Sequence, residues 1–219
     1  MRGGPPRQPS TGGPRMALQR ERPELVLASG SAARAMLLRS AGLRFRVAPV
    51  ALDEGAIRDA ARRAGEDAGH AAMALAGAKA LKGSEAAPEA LVIGADQILA
   101  CEGRWFEKPA GKEEAAEQLR MLRGRTHVLA TAVACASEGE VVWRMVAEAR
   151  LTFRRFSDAA LEGVLEADKA SIGSSVGGYR LEGPGVLLCE RIEGDHFTIL
   201  GLPLLPLLGF LRERGVLVD

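Results

Sequence analysis

Short apolar runs that stop at small-residue turns and pass straight into helix-forming stretches recur along the first half of this chain. No other feature narrows its possible folds as much. Leu25-Val26-Leu27-Ala28 ends at Ser29-Gly30-Ser31, and a helix from about Ala32 to Ala41 follows, closed by Gly42. Arg44–Val47 suits a second strand. Ile57 to Gly83 is Ala-rich and interrupted near Gly65 and Gly69, which predicts one short helix and one longer one. Leu91–Ile93 reads as a buried strand, and Ile98–Cys101 with Arg104–Phe106 as a hairpin turning at Glu102-Gly103. The pattern then changes. After an amphipathic helix over Lys112–Leu122 come two long strands, Thr126–Ala136 and Val141–Phe153, antiparallel across a polar turn. Ser157 caps a helix to about Glu166, with Asp158 in its first turn. Gly173–Gly185 is a Gly-rich loop, Val186–Arg191 a strand, and Pro203 opens a final helix. Alternation followed by antiparallel ribbons predicts an α/β protein with a mixed sheet.

Met1 to about Arg22 is rich in Gly, Pro and Arg without hydrophobic period and reads as a disordered leader, with Met16 as a second candidate start. Residues 23–219 read as one domain, without internal repeat or linker. Lys plus Arg number 29 against 28 Asp plus Glu, a balance that argues against non-specific nucleic-acid binding but leaves room for a local basic pocket. Cys101, Cys135 and Cys189 lie far apart, so a disulfide framework is not expected and a cytoplasmic location is. The longest greasy stretch, Thr198–Leu211, contains Pro203 and Pro206 and falls short of the ~20 residues that span a bilayer, so no membrane partner is expected.

Phosphate-loop, dinucleotide, zinc-protease and nucleophile-elbow motifs are absent, and His70, His127 and His196 read as ordinary surface or half-buried side chains. What remains is a scatter of polar residues at element ends. Ser29-Gly30-Ser31 delivers a strand to a helix start, where free N–H groups and the helix dipole favour an anion, with Arg34 one turn in. Alone, this is equally a plain N-cap. Asp53-Glu54 offers two hard oxygens to a cation such as Mg²⁺, or is simply solvated. Lys79, among small residues, either snorkels outward or reaches an anion across a cleft. Asp96, after Leu91-Val92-Ile93-Gly94-Ala95, is an acid in an apolar setting at the carboxyl end of a strand: a metal ligand, a general base, or the cap of a turn. Lys108 is aimed by Pro109. Together, these acids and bases form an apparatus for a polyphosphate and its metal, and water is the attacker, because no Ser or Cys nucleophile has a base partner.

The ordered set LASGSAAR (Leu27–Arg34), LDE (Leu52–Glu54), LAGAKA (Leu75–Ala80), VIGADQIL (Val92–Leu99), EKP (Glu107–Pro109), GRTHVLATAVA (Gly124–Ala134), GYRLEGPG (Gly178–Gly185) and GLPL (Gly201–Leu204) resembles the Maf family of nucleotide pyrophosphatases. The likeness runs from Leu25 to about Gly215. It implies an elongated, twisted mixed sheet with flanking helices, two lobes around a central cleft, and frequently a homodimer. It also implies hydrolysis of a nucleoside triphosphate to monophosphate and pyrophosphate with Mg²⁺ or Mn²⁺. By resemblance Asp96 is the proton acceptor, Glu54 and Asp96 are the metal side, and Ser29, Ser31, Arg34, Lys79 and Lys108 surround the triphosphate. Ala33, Gln97 and Glu182 fall at specificity positions. Gln97 and Glu182 side with the subgroup resembling 7-methyl-GTP pyrophosphatases, in place of the Thr and Gln of the dTTP/UTP subgroup. A carboxylate at Glu182 can accept two hydrogen bonds from a guanine edge, where uracil or thymine offers one N–H. The family turn usually reads S-P-R-R or S-P-W-R; Ala32 and Ala33 depart from it, which implies a broader or shifted base preference. Two other readings stay open: a non-catalytic nucleotide-binding regulator of septum formation, and a phosphatase or sugar-nucleotide enzyme that releases orthophosphate.

Overall fold

The structure, a computed structural model, describes residues 18–218. Its centre is a seven-stranded mixed sheet of β1 (Leu25–Leu27), β2 (Arg46–Val47), β3 (Leu91–Cys101), β4 (Arg104–Phe106), β5 (Thr126–Ser137), β6 (Glu140–Phe153) and β7 (Cys189–Glu193). The order is β2-β1-β3-β5-β6-β7, with β4 pairing the far end of β3. β1 runs parallel to β2 and β3, and every later pairing is antiparallel. The expected mixed α/β architecture is therefore the one observed. The helices are α1 (Ala32–Ser40), α2 (Glu54–Arg63), α3 (Ala68–Ala86), α4 (Lys112–Leu122), α5 (Asp158–Ala167), a four-residue α6 (His196–Ile199) and α7 (Leu204–Glu213).

β3 organises the molecule because its alternating side chains feed three separate packings. Leu91, Ile93 and Ala95 join a core built with α1 and α7. Further along the same face, Leu99 and Cys101 join a second core built with α4 and α5. On the opposite face, Ile98 packs with β5 alanines against the small side chains of α3 (Ala71, Ala72, Leu75, Ala76, Ala80). β5 repeats the division, with Val133 and Cys135 in the first core and Leu129 in the second. Between the two cores the partners in register are Gln97 and Thr131, so a polar pair interrupts an otherwise apolar face where the lobes part.

Three expectations are corrected. β3 is one strand of 11 residues, so Asp96 lies within it and not at its carboxyl end. Gly94 keeps the strand going instead of ending it: a Cβ there would lie 2.3 Å from the Ala76 carbonyl oxygen and 2.5 Å from the Ala80 nitrogen, and only a hydrogen lets α3 settle onto the sheet. Val186 does not begin a strand. Pro184 opens a short 3₁₀ turn through Leu188, and β7 starts at Cys189.

The expected hairpins do form. Glu102-Gly103 and Glu138-Gly139 both take positive φ, which suits the twist of the strands they join. Of the expected leader, Met1–Ala17 lies outside the described residues. Gln19, near its end, bridges Leu217, and its amide side chain bonds the Arg44 backbone at both ends, so the chain is already pinned before Arg22. No helix among the described residues is long and apolar enough to cross a membrane.

Candidate active site

A cleft of about 960 Å³ opens where the lobes part, and residues from eight segments line it. Ser29, Ser31, Ala33, Arg34, Glu54, Lys79, Asp96, Gln97, Lys108 and Glu182 all face it. Asp53 does not. Its carboxylate accepts a hydrogen bond from the Ala56 N–H at 2.9 Å and caps α2, so the acidic pair of the sequence divides into a cap and a cleft residue.

Each side chain is aimed by its local structure. Ser31 caps α1, its oxygen accepting from the Arg34 backbone N–H. The Arg34 side chain turns back under the same turn. Its Nε donates to the Gly201 carbonyl at 2.8 Å, and Nη1 donates to the Ala95 carbonyl at 2.8 Å and Ser29 Oγ at 3.0 Å. One guanidinium thus ties the turn after β1, strand β3 and the turn after α6 together. Burial lowers its pKa, opposed by Asp96 and Glu54, whose charges it faces.

Lys79 does not snorkel outward. From the middle of α3 its ammonium donates to Asp96 Oδ1 at 2.6 Å and lies 2.8 Å from Glu54 Oε1, with the side chain only 9% exposed. That reach depends on the Gly94 contact, which brings the helix axis close to the strand. Glu54 also faces Arg58 Nη1 at 3.5 Å. Burial pushes its carboxyl pKa upward, but Lys79 and Arg58 outweigh that and hold it below the ordinary glutamate value. Lys108, exposed at the rim, has its pKa lowered by desolvation against the cleft wall and by the charges of Arg34 and Lys79, opposed by Glu54 and Asp96.

The opposite end of the cleft is built differently. Gln97 points away from Asp96 because neighbours on a strand face opposite ways. Its Nε2 donates to Thr131 Oγ1 at 2.8 Å and to the carbonyls of Thr198 and Ile199 at 3.0 and 3.2 Å. Glu182 lies 4.0 Å from Arg180, which in turn forms a two-armed ion pair with Asp168.

Two residues to which the sequence reading gave no role support this end. His127, expected at the surface or half-buried, is fully buried, and its Nε2 meets the Tyr179 hydroxyl at 2.6 Å. Desolvation lowers its pKa to about 4, so the ring is neutral at pH 7. Tyr179 lines the cleft two residues before Leu181 and three before Glu182. The pair spans 52 positions of sequence and had no spacing signal.

A mixed sheet with a polar cleft between two lobes, lined by acids and bases from separate segments, is an arrangement suited to binding a phosphorylated ligand. The chain belongs to the family described as Maf-like protein, whose family model matches residues 24–214. It is 51% identical over 194 residues to the nucleoside triphosphate pyrophosphatase of Gluconobacter oxydans (88% of this chain, 96% of that protein). Proteins of the same name from Nitrobacter hamburgensis (49% over 203 residues; 92% and 99%) and Granulibacter bethesdensis (46% over 194 residues; 89% and 98%) are similarly close.

Proposed function

We propose that this protein is a nucleoside triphosphate pyrophosphatase, which splits its substrate into the monophosphate and pyrophosphate by attack of water at the α-phosphorus. The observation that carries the reading is the convergence of Arg34, Glu54, Lys79, Asp96 and Lys108, from five separate segments, on one cleft. The relatives named for this activity support it across nearly their whole length.

In this reading the triphosphate lies along the basic side of the cleft. The N–H groups at the start of α1 and the side chains of Arg34, Lys79 and Lys108 take up its negative charge. Lys79 holds Asp96 Oδ1 at 2.6 Å, which fixes the carboxylate and leaves Oδ2 to orient water and receive its proton. The new bond forms between the water oxygen and the α-phosphorus. The bond from that phosphorus to the α,β-bridging oxygen breaks, and its electron pair leaves with pyrophosphate.

Glu54 and Asp96 fit a role as holders of Mg²⁺ or Mn²⁺, because two carboxylate oxygens already flank one positive charge, at 2.8 and 2.6 Å from Lys79 Nζ. Among the described residues no group of three or more His, Cys, Asp or Glu could hold a metal alone. A hard cation with one or two protein carboxylates and the rest of its ligands from phosphate matches that supply. Such an ion would neutralise charge on the departing pyrophosphate.

At the other end, Gln97 has committed its Nε2 and presents Oε1, and Glu182 presents two acceptor oxygens. A base edge rich in N–H donors, as in guanine or 7-methylguanine, is the complement of these groups.

Assaying a panel of canonical and modified triphosphates with Mg²⁺ or Mn²⁺, scored for both pyrophosphate and orthophosphate, tests the proposal. Pyrophosphate should be the product, and Asp96→Asn should lower kcat by roughly 10²- to 10⁴-fold. Orthophosphate as the sole product, or an unchanged rate in Asp96→Asn, would refute it.

A further inference from the structure

Ion pairs in the cleft form a connected series: Asp96, Lys79, Glu54, Arg58, Glu107. The inner contacts are short, 2.6 and 2.8 Å. The outer ones are looser. Arg58 Nη1 is 3.5 Å from Glu54, and Nε, although 3.2 Å from Glu107, is buried without a hydrogen-bond partner because its N–H is not directed at that oxygen. Leaving a buried guanidinium N–H unpaired is unfavourable, and an oxygen from water or from a ligand relieves it.

Packing does not explain why Arg58 turns inward. No residue of α2 is fully buried, yet the Arg58 side chain is only 20% exposed and lines the cleft. Arg62, one turn further on, is held aside, with its guanidinium 5.1 Å from the centre of the Trp105 ring and 3.8 Å from Glu107. Helix α2 therefore presents one arginine engaged with an aromatic face and one whose guanidinium lines the cleft, held by a long hydrogen bond from Nη1 to Glu54 at 3.5 Å. A guanidinium offers the planar fork that phosphate oxygens accept.

Position along the series suggests which phosphate it meets. If the α-phosphorus lies opposite Asp96, the chain of phosphates runs outward past Lys79 and Glu54, and the group beyond Glu54 is Arg58. On that path a diphosphate would end one phosphate short of it. We propose that Arg58 binds the terminal phosphate and thereby makes the site select nucleoside triphosphates over diphosphates. The inference rests on the nucleotide-hydrolysis reading above and adds to it a residue that reads phosphate-chain length.

The test is calorimetric titration of the full chain and of Arg58→Ala with the α,β-methylene analogues of guanosine triphosphate and diphosphate in Mg²⁺, which bind without being cleaved at that linkage. Triphosphate affinity should fall roughly 10- to 100-fold and diphosphate affinity by less than about 3-fold. Arg58→Lys should restore part of the loss, since it keeps the charge without the fork. Because α2 has no buried residue, the variants should fold, which far-ultraviolet circular dichroism checks. Equal losses for both analogues would mean that Arg58 only steadies Glu54 and would overturn the inference, as would no loss for either. Pyrophosphate release by the unaltered protein is measured alongside. If it is absent, the functional reading fails and takes this inference with it; if it is present, equal losses count against Arg58 alone.

Discussion

An ammonium 2.6 Å from one carboxylate and 2.8 Å from another can serve a reaction only if the acids keep their charge. For Glu54 the two neighbouring cations ensure it by holding its pKa below the ordinary range despite burial. The carboxylate therefore stays ionised as pH falls into the ordinary glutamate range. Lys108 has the opposite sensitivity. Its pKa is lowered, so it loses its charge at a pH below the usual lysine value. In the free enzyme kcat/KM for a triphosphate should accordingly fall on the alkaline side below about pH 10.5, through a rise in KM. Lys108→Arg should move that limb upward, because a guanidinium does not titrate in the range. A limb at the same pH in the variant would show that Lys108 is not its source.

The helix and strand that carry Lys79 and Asp96 are held together by what Gly94 lacks. A methyl group there would sit 2.3 Å from a backbone oxygen and 2.5 Å from a backbone nitrogen of α3, neither of which can move aside as a side chain would. Gly94→Ala should destabilise the fold by about 1–3 kcal/mol and also separate Lys79 from Asp96, so activity per folded molecule should drop as well. Gly77→Ala, on the same helix with nothing within 4 Å of the added carbon, should instead gain roughly 0.5–1 kcal/mol and leave turnover intact. Urea unfolding together with kcat distinguishes the two outcomes.

This is also the scale at which sequence reading reached its limit. The helix starts at Ser31 and Ser157 were legible because capping chemistry is local. The role of Gly94 was not, since a glycine after an apolar run reads equally as a strand end or as a point of close approach. Arg58, at i+4 from Glu54, looks like any exposed helix pair until the fold shows that this face of α2 borders the cleft.

Across the whole molecule, one sheet face serves two apolar cores, and the Gln97 end of the site occupies the gap between them, while Asp96 faces Lys79 of α3 on the other side of the sheet. Gln97 and Thr131 mark that gap in register, although in sequence they are 34 residues apart. The buried His127–Tyr179 pair anchors the Glu182 segment to the second core, joining two of the quoted motifs whose pairing neither one reveals. It has a consequence for stability. Burial holds the His127 pKa at about 4 against an unfolded value of about 6.5, so between these values the unfolded chain binds more protons and unfolding becomes easier as pH falls. The contribution is complete above about pH 6.5, is lost progressively down to about pH 4, and amounts to roughly 3 kcal/mol. Denaturant midpoints from pH 7 to pH 4 should therefore fall more steeply for the native chain than for His127→Gln. Parallel curves would exclude His127 as the group responsible.

Attack of water on the α-phosphorus within this cleft is tested most directly by oxygen labelling. When the triphosphate is hydrolysed in ¹⁸O-enriched water, mass spectrometry should find the label in the nucleoside monophosphate and none in the pyrophosphate. Label in the pyrophosphate, or in released orthophosphate, would contradict it.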